Sequence, residues 1–260
     1  MSEPVKTWSE DGVGVIELAR PDKFNCLSRA VHEAIDAARR GFEADPAVRA
    51  ILLRAQGKHF CTGADLAEVK GIRADAGKLA TFIDTGNATL AGLEASPLPV
   101  VCAVQGLCLA GGLELMLAAD VCIAADVARF GDQHAQFGLV PGWGGSQRLT
   151  RLVGLRRAMD LLLTARWIEA DEALSIGLVN RVVPLASLEE EAMTYARTLA
   201  TRSRPALAEM KRLARQGLDR PLEDGIRLER DAVIVHLQGD DVSEGLAAFE
   251  GRRTPRFTQQ

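Results

Sequence analysis

Residues 98–125 constrain the fold of this chain more than any other segment. They form its longest apolar stretch, yet Gln105, Glu114, Asp120 and several glycines interrupt it. A membrane-spanning helix needs about 20 predominantly apolar residues without such breaks. The pattern instead predicts a buried strand over residues 100–104, a glycine-bearing turn over 106–112, a short helix over 113–119 and a second strand over 121–125. A chain with that segment at its centre belongs to the α/β class.

The flanking segments agree. Residues 13–18 read as a strand that Arg20 and Pro21 end. Residues 28–42 carry Val31, Ile35, Ala38 and Phe42 on one helical face, with Ser28 as N-cap. A strand over 48–54, a loop over 57–65, a helix beginning near Asp65 and a helix over 78–94 follow, and Pro97 and Pro99 stop the last of these. Residues 128–145 are loop-rich and end in PGWGG; helices then run through residue 163, with a short helix over 169–175 and a strand over 177–183. Everything beyond reads as helix: 188–199, 205–215, 221–237 and 242–249. The expected organisation is an α/β core over residues 1–187 and a helical region over 188–260, without internal repeats.

A chain of 260 residues with 47% hydrophobic and 25% charged residues can bury a large core without disulfides or metals. The five cysteines, Cys26, Cys61, Cys102, Cys108 and Cys122, form no C-x-x-C pair and are expected to be reduced and mostly buried, as in a cytoplasmic protein. The N-terminus MSEPVKTWSEDG has no apolar core of the kind a secretory signal carries. A net charge of −4 argues against a large nucleic-acid footprint, leaving only the small basic cluster of Lys211, Arg212 and Arg215 for such a role.

The segment GLCLAGG (106–112) is neither a P-loop nor a dinucleotide fingerprint, and the chain has no GxSxG, no HExxH and no zinc-type cysteine spacing. Two loops place small residues just before a helix: Thr62-Gly63-Ala64-Asp65 and Leu109-Ala110-Gly111-Gly112. Each is either a plain helix-entry turn or a source of unpaired N–H groups for a developing negative charge. Two such ends aimed at one point make an oxyanion hole. Spacing alone does not show that they converge.

The segments HFCTGADL, AVQGLCLAGGLELMLAAD, FGLVPGWGGSQRLTRLVG and EGLAAFEGRRTPRF, preceded by VGVIELARPDKFNCLS, resemble the successive signature blocks of the crotonase (enoyl-CoA hydratase/isomerase) family, in order and spacing, over nearly the whole chain. The resemblance implies a spiral of ββα units with a C-terminal helical region used in trimerisation, as a homotrimer or a dimer of trimers. It implies an acyl-CoA substrate that brings coenzyme A with it, no metal and no further cofactor. Carried over by position, the thioester oxygen is held by the amides of Ala64 and Gly111. Thr62, Asp65 and Leu66 fall on the coenzyme-binding edge, Gly112 beside the hole, and Gly142 where a backbone amide holds the reacting water. Trp143 either walls the acyl pocket or packs its loop.

Hydratases of this family work with two glutamates. Glu114 matches the first, and its alternative is a solvated first-turn residue. The position of the second holds His134, which near neutral pH can give or take a proton. Asp132 and Gln133 are placed to orient its imidazole. A Glu114–His134 pair suits water addition to a 2-enoyl-CoA, a double-bond shift or a C–C hydrolysis. His59, Cys61 and Cys108 read as packing residues. Lys23, Arg252 and Arg253 are candidates for coenzyme phosphates or plain solvated charges.

Overall fold

A computed structural model describes residues 3–257, so residues 1–2 and 258–260 of the two segments above lie outside the described residues. In chain order the elements are β1 (Val5–Glu10), β2 (Val13–Leu18), α1 (Arg29–Ala44), β3 (Ala50–Ala55), α2 (Leu66–Ile72), α3 (Ala76–Ala95), β4 (Val100–Val104), β5 (Leu107–Leu109), α4 (Gly111–Leu117), β6 (Val121–Ala125) and β7 (Arg129–Gly131). Then come α5 (Gly145–Val153), α6 (Leu155–Thr164), β8 (Ile168–Glu169), α7 (Ala170–Ser175), β9 (Arg181–Val183), α8 (Leu188–Ala200), α9 (Arg204–Leu218), α10 (Leu222–His236) and α11 (Asp240–Glu250). This is an α/β core with helices closing the chain, as the sequence reading expects.

Six strands form one sheet in the order β1-β2-β3-β4-β6-β9, antiparallel between β1 and β2 and parallel elsewhere. Its strands lack the polar alternation of a one-sided sheet because both faces are covered. Ile16, Leu18, Ile51, Leu53, Val100, Cys102, Val104 and Ala124 point into the main core with α1, α3 and α4. The intervening Val13, Val15, Leu52, Val101, Ala103 and Ile123 meet Leu188, Ala192, Met193 and Ala196 of α8. The first helix of the C-terminal segment thus forms the sheet's second covering layer. A smaller sheet, β5-β7-β8, stands apart from the first.

Ser28 caps α1 as expected, its hydroxyl accepting from Val31 N. Several elements differ from the sequence reading, among them β7, which lies in the stretch read as loop-rich, and β8, which it did not contain. Strand β1 was absent from it, because VKTWSE buries only Val5 and so carries no apolar run. The turn over 106–112 is instead β5 followed directly by α4, which starts at Gly111 rather than Leu113. The strand expected over 177–183 is confined to Arg181–Val183. All five cysteines are free, four of them buried, and burial pushes the Cys61 thiol up to about 12. Among the described residues no helix is long and apolar enough to cross a membrane.

Candidate active site

Backbone pairing brings the two small-residue turns together. Cys61 N donates to Leu107 O at 3.1 Å and Leu109 N to Cys61 O at 2.9 Å, so residues 61–64 run beside 107–110 and both turns end at the same level. In the first turn Gly63 O accepts from Leu27 N and Asp65 N donates to Leu27 O, both at 2.8 Å. Ala64, between them, directs its N–H the other way. Gly63 has φ +116, which L residues rarely adopt. In the second turn Ala110 has φ 48 and ψ −119, a strained conformation for a non-glycine residue that ends with Gly111 N–H leading α4.

The convergence that spacing could not show is present. A methyl group on Gly63 would lie 3.4 Å from Gly111 N, and one on Gly111 would lie 3.3 Å from Ala64 N. Neither the Ala64 nor the Gly111 N–H has a hydrogen-bond partner among the described residues. Paired orphan amides at one point form an anion-binding concavity. Gly112 is needed for a different reason: its own methyl would lie 2.2 Å from Cys61 O, so it lets the two turns touch rather than facing open space.

Glu114 lies one helical turn beyond Gly111. It is 1% exposed, which rules out the solvated first-turn alternative. Its Oε1 accepts from Trp143 N at 2.7 Å and from Gly145 N, at the start of α5, at 2.8 Å. Burial pushes its pKa up; those two amides and the charge of His134 pull it down, and the net shift is upward. The opposing amides come from α5 and the turn before it, not from the N-terminus of Glu114's own helix.

His134 follows β7. Its Nδ1 stands 3.0 Å from Asp132 Oδ1, and its backbone N–H donates to the same oxygen at 3.2 Å. A carboxylate only accepts, so Nδ1 carries the proton and Nε2 is the nitrogen left for chemistry. Burial pulls the His134 pKa down, but the bond to Asp132, its charge and that of Glu114 prevail and raise it. Gln133, the other candidate to orient the ring, turns away and donates to Ala165 O.

The remaining site residues divide by what they touch. Gly142 O accepts from Asn87 Nδ2 at 3.1 Å, and its N–H has no partner among the described residues. Trp143 is 2% exposed; Arg148 Nη1 clamps its carbonyl at 2.6 Å while pairing with Glu94. Thr62 N donates to Phe24 O, and Leu66 is exposed at the start of α2. Asp65 caps α2 through Ala67 N and pairs with Arg20 at 2.9 Å. His59 Nδ1 accepts from Leu107 N, a structural role. In the basic cluster Lys211 pairs with Asp120, Arg212 with Glu209, and Arg215 with Glu94 and Asp120. Sequence reasoning missed the positioning roles of Arg20, Asn87 and Arg148: Arg20 and Arg148 lie within the signature blocks but their partners come from other elements, and Asn87 lies in no block.

Comparison with known proteins fits this geometry. A family model described as enoyl-CoA hydratase/isomerase matches residues 9–260. A probable enoyl-CoA hydratase of Rhizobium meliloti is 41% identical over 94% of both chains. The mitochondrial enoyl-CoA hydratase of Pongo abelii is 33% identical over 98% of this chain and 87% of its own length. Among solved structures, an enoyl-CoA hydratase from a Polaromonas species superposes with a TM-score of 0.94 at 30% identity, covering 98% of this chain and 99% of that one. One from Geobacillus kaustophilus gives 0.93 at 38% identity over all of both chains. The chain belongs to the enoyl-CoA hydratase/isomerase, or crotonase, family.

Proposed function

We propose that this protein adds water across the double bond of a 2-enoyl-CoA thioester. The observation that carries the reading is the pair of unpartnered amides, Ala64 and Gly111, one helical turn from a buried glutamate that itself accepts two backbone N–H bonds. The amides hold the thioester oxygen. Glu114, whose Oε1 accepts from Trp143 N and Gly145 N, takes a proton from water that Gly142 N–H helps to place. The hydroxide so formed adds to the β-carbon, and the electron pair moves through the α-carbon to the thioester oxygen. An amide aimed at that oxygen contributes roughly 3–4 kcal/mol to the transition state. His134, protonated at Nε2 and steadied by Asp132, returns a proton to the α-carbon. The chemistry is redox-neutral proton transfer, and coenzyme A arrives with the substrate.

A second reading rests on one observation: an aspartate-oriented imidazole stands where the family's hydratases have a glutamate. Such a pair also suits double-bond migration or C–C hydrolysis of another acyl-CoA. A homotrimer or dimer of trimers belongs to the proposal, supported by the exposed Val233, Ile234 and Val235 of α10 and Leu246 and Phe249 of α11. So does a cytoplasmic location, supported by five free thiols.

The test is a panel of 2-enoyl-CoA thioesters of increasing length, followed for both water addition and bond migration, beside Glu114→Gln. The amide keeps an oxygen for both N–H donors but cannot take a proton, so kcat should fall by roughly 10²–10⁴ with coenzyme binding retained. Hydration undiminished in the variant would refute Glu114 as the base. Migration or hydrolysis without hydration would select the second reading.

A further inference from the structure

The indole of Trp143 packs directly against Gly111, one of the two residues of the anion hole. A methyl group on Gly111 would lie 2.6 Å from Trp143 Cζ3 and 2.9 Å from Cε3. At the opposite edge of the ring, a methyl on Gly86 of α3 would lie 2.2 Å from Nε1 and 2.5 Å from Cε2. The ring therefore spans the gap between α4 and α3, and both helices present glycine where it touches them. His32 meets it edge-on with centroids 4.5 Å apart, and Phe82 packs against it at 5.4 Å.

The ring is also fixed. Its backbone N–H is bound by Glu114 and its carbonyl by Arg148, and the preceding carbonyl is bound by Asn87. Its Nε1 and both nitrogens of His32 have no hydrogen-bond partner among the described residues. The ring's position thus depends on shape rather than on its N–H. Burial holds His32 at a pKa of about 4, so the group behind the ring is uncharged.

The reacting carbons must lie between the Ala64 and Gly111 amides and Glu114, and Trp143 backs that same space. An acyl chain extending past the β-carbon toward α3 meets the ring. We propose that Trp143 is the chain-length stop of this site and restricts it to short acyl groups. The inference rests on the acyl-CoA reading above but not on which acyl-CoA reaction is catalysed.

Saturated acyl-CoA thioesters, which cannot be hydrated, test it by calorimetric binding from butyryl- to decanoyl-CoA. The wild-type protein should gain no affinity beyond the short chains. Each methylene that enters an apolar pocket is worth about fourfold in affinity. Trp143→Ala, or Trp143→Leu should the alanine variant fold poorly, should therefore bind octanoyl-CoA at least about tenfold tighter relative to butyryl-CoA than the wild type does. Trp143→Phe keeps a ring without the N–H and should keep the stop. A wild-type affinity that climbs steadily with chain length would overturn the proposal, as would a folded alanine or leucine variant with the wild-type profile. Failure of the wild type to bind any acyl-CoA would overturn the acyl-CoA reading together with the stop.

Discussion

Gly63→Ala is the sharpest test of the anion hole, because it adds one methyl group and touches no titrating residue. That methyl would lie 3.1 Å from Ala110 Cβ, 3.4 Å from Gly111 N and 3.6 Å from Leu109 O. Apolar carbons settle at about 3.5–4.0 Å, so the two turns must part by roughly half an ångström. Hole donors act at about 2.7–3.1 Å from the oxyanion, and that displacement takes one of them out of range. The expected loss is that of one donor, about 10²–10³ in kcat, or roughly 3–4 kcal/mol. Separately, alanine at φ +116 is strained, which should lower stability by about 1–2 kcal/mol. Steady-state hydration, followed by loss of the conjugated enoyl thioester absorbance, measures the first effect. Denaturant unfolding measures the second. A stably folded variant with wild-type kcat would refute the assignment of Ala64 and Gly111 as the hole.

Asp132→Asn tests the imidazole. Protonated His134 supplies the α-carbon proton, so activity is present below its folded pKa and lost as pH rises through it. Burial lowers that pKa, whereas Asp132 and Glu114 raise it to a net value above the ordinary 6.5. The variant keeps an oxygen for Nδ1–H but loses the negative charge that raises the His134 pKa, so the alkaline limb of kcat/KM should move to lower pH, within a bell whose limbs belong to the Glu114–His134 pair. The stability linked to His134 has the same sign: it is full below the unfolded pKa and lost as pH rises through the folded one, and the variant should lose that dependence. An unmoved alkaline limb would leave Asp132 a packing residue. Asp120→Ala probes the core: Asp120 binds Val100 N and pairs with buried Lys211 and with Arg215, each at 2.8 Å. Breaking that cluster should destabilise the fold by roughly 3 kcal/mol in denaturant unfolding, and an unchanged midpoint would contradict it.

The element order was legible because both faces of the main sheet are buried, so β2, β3, β4 and β6 appear as short continuous apolar runs. Helix α1 was legible because its cap and its apolar face are local properties of the chain. Ala64, Gly111, Glu114 and His134 could be placed from sequence only through the order and spacing of the crotonase blocks.

What lay outside the sequence's reach depends on contacts between distant residues. β1 has no apolar run, and β5 is three residues held by Cys61 and β7 rather than by any propensity. That Ala64 and Gly111 converge follows from hydrogen bonds across more than 40 residues of chain. That Asp132 rather than Gln133 steadies His134 follows from a left-handed backbone at Gln133 and its bond to Ala165. The amides that hold Glu114 belong to Trp143 and Gly145, brought to it by the packing of α5 on α4. The sequence by itself determined the layers and the chemical groups available. Only the tertiary structure decided which of those groups meet, because a carboxylate's proton affinity and an amide's free N–H depend on neighbours that the chain supplies from elsewhere.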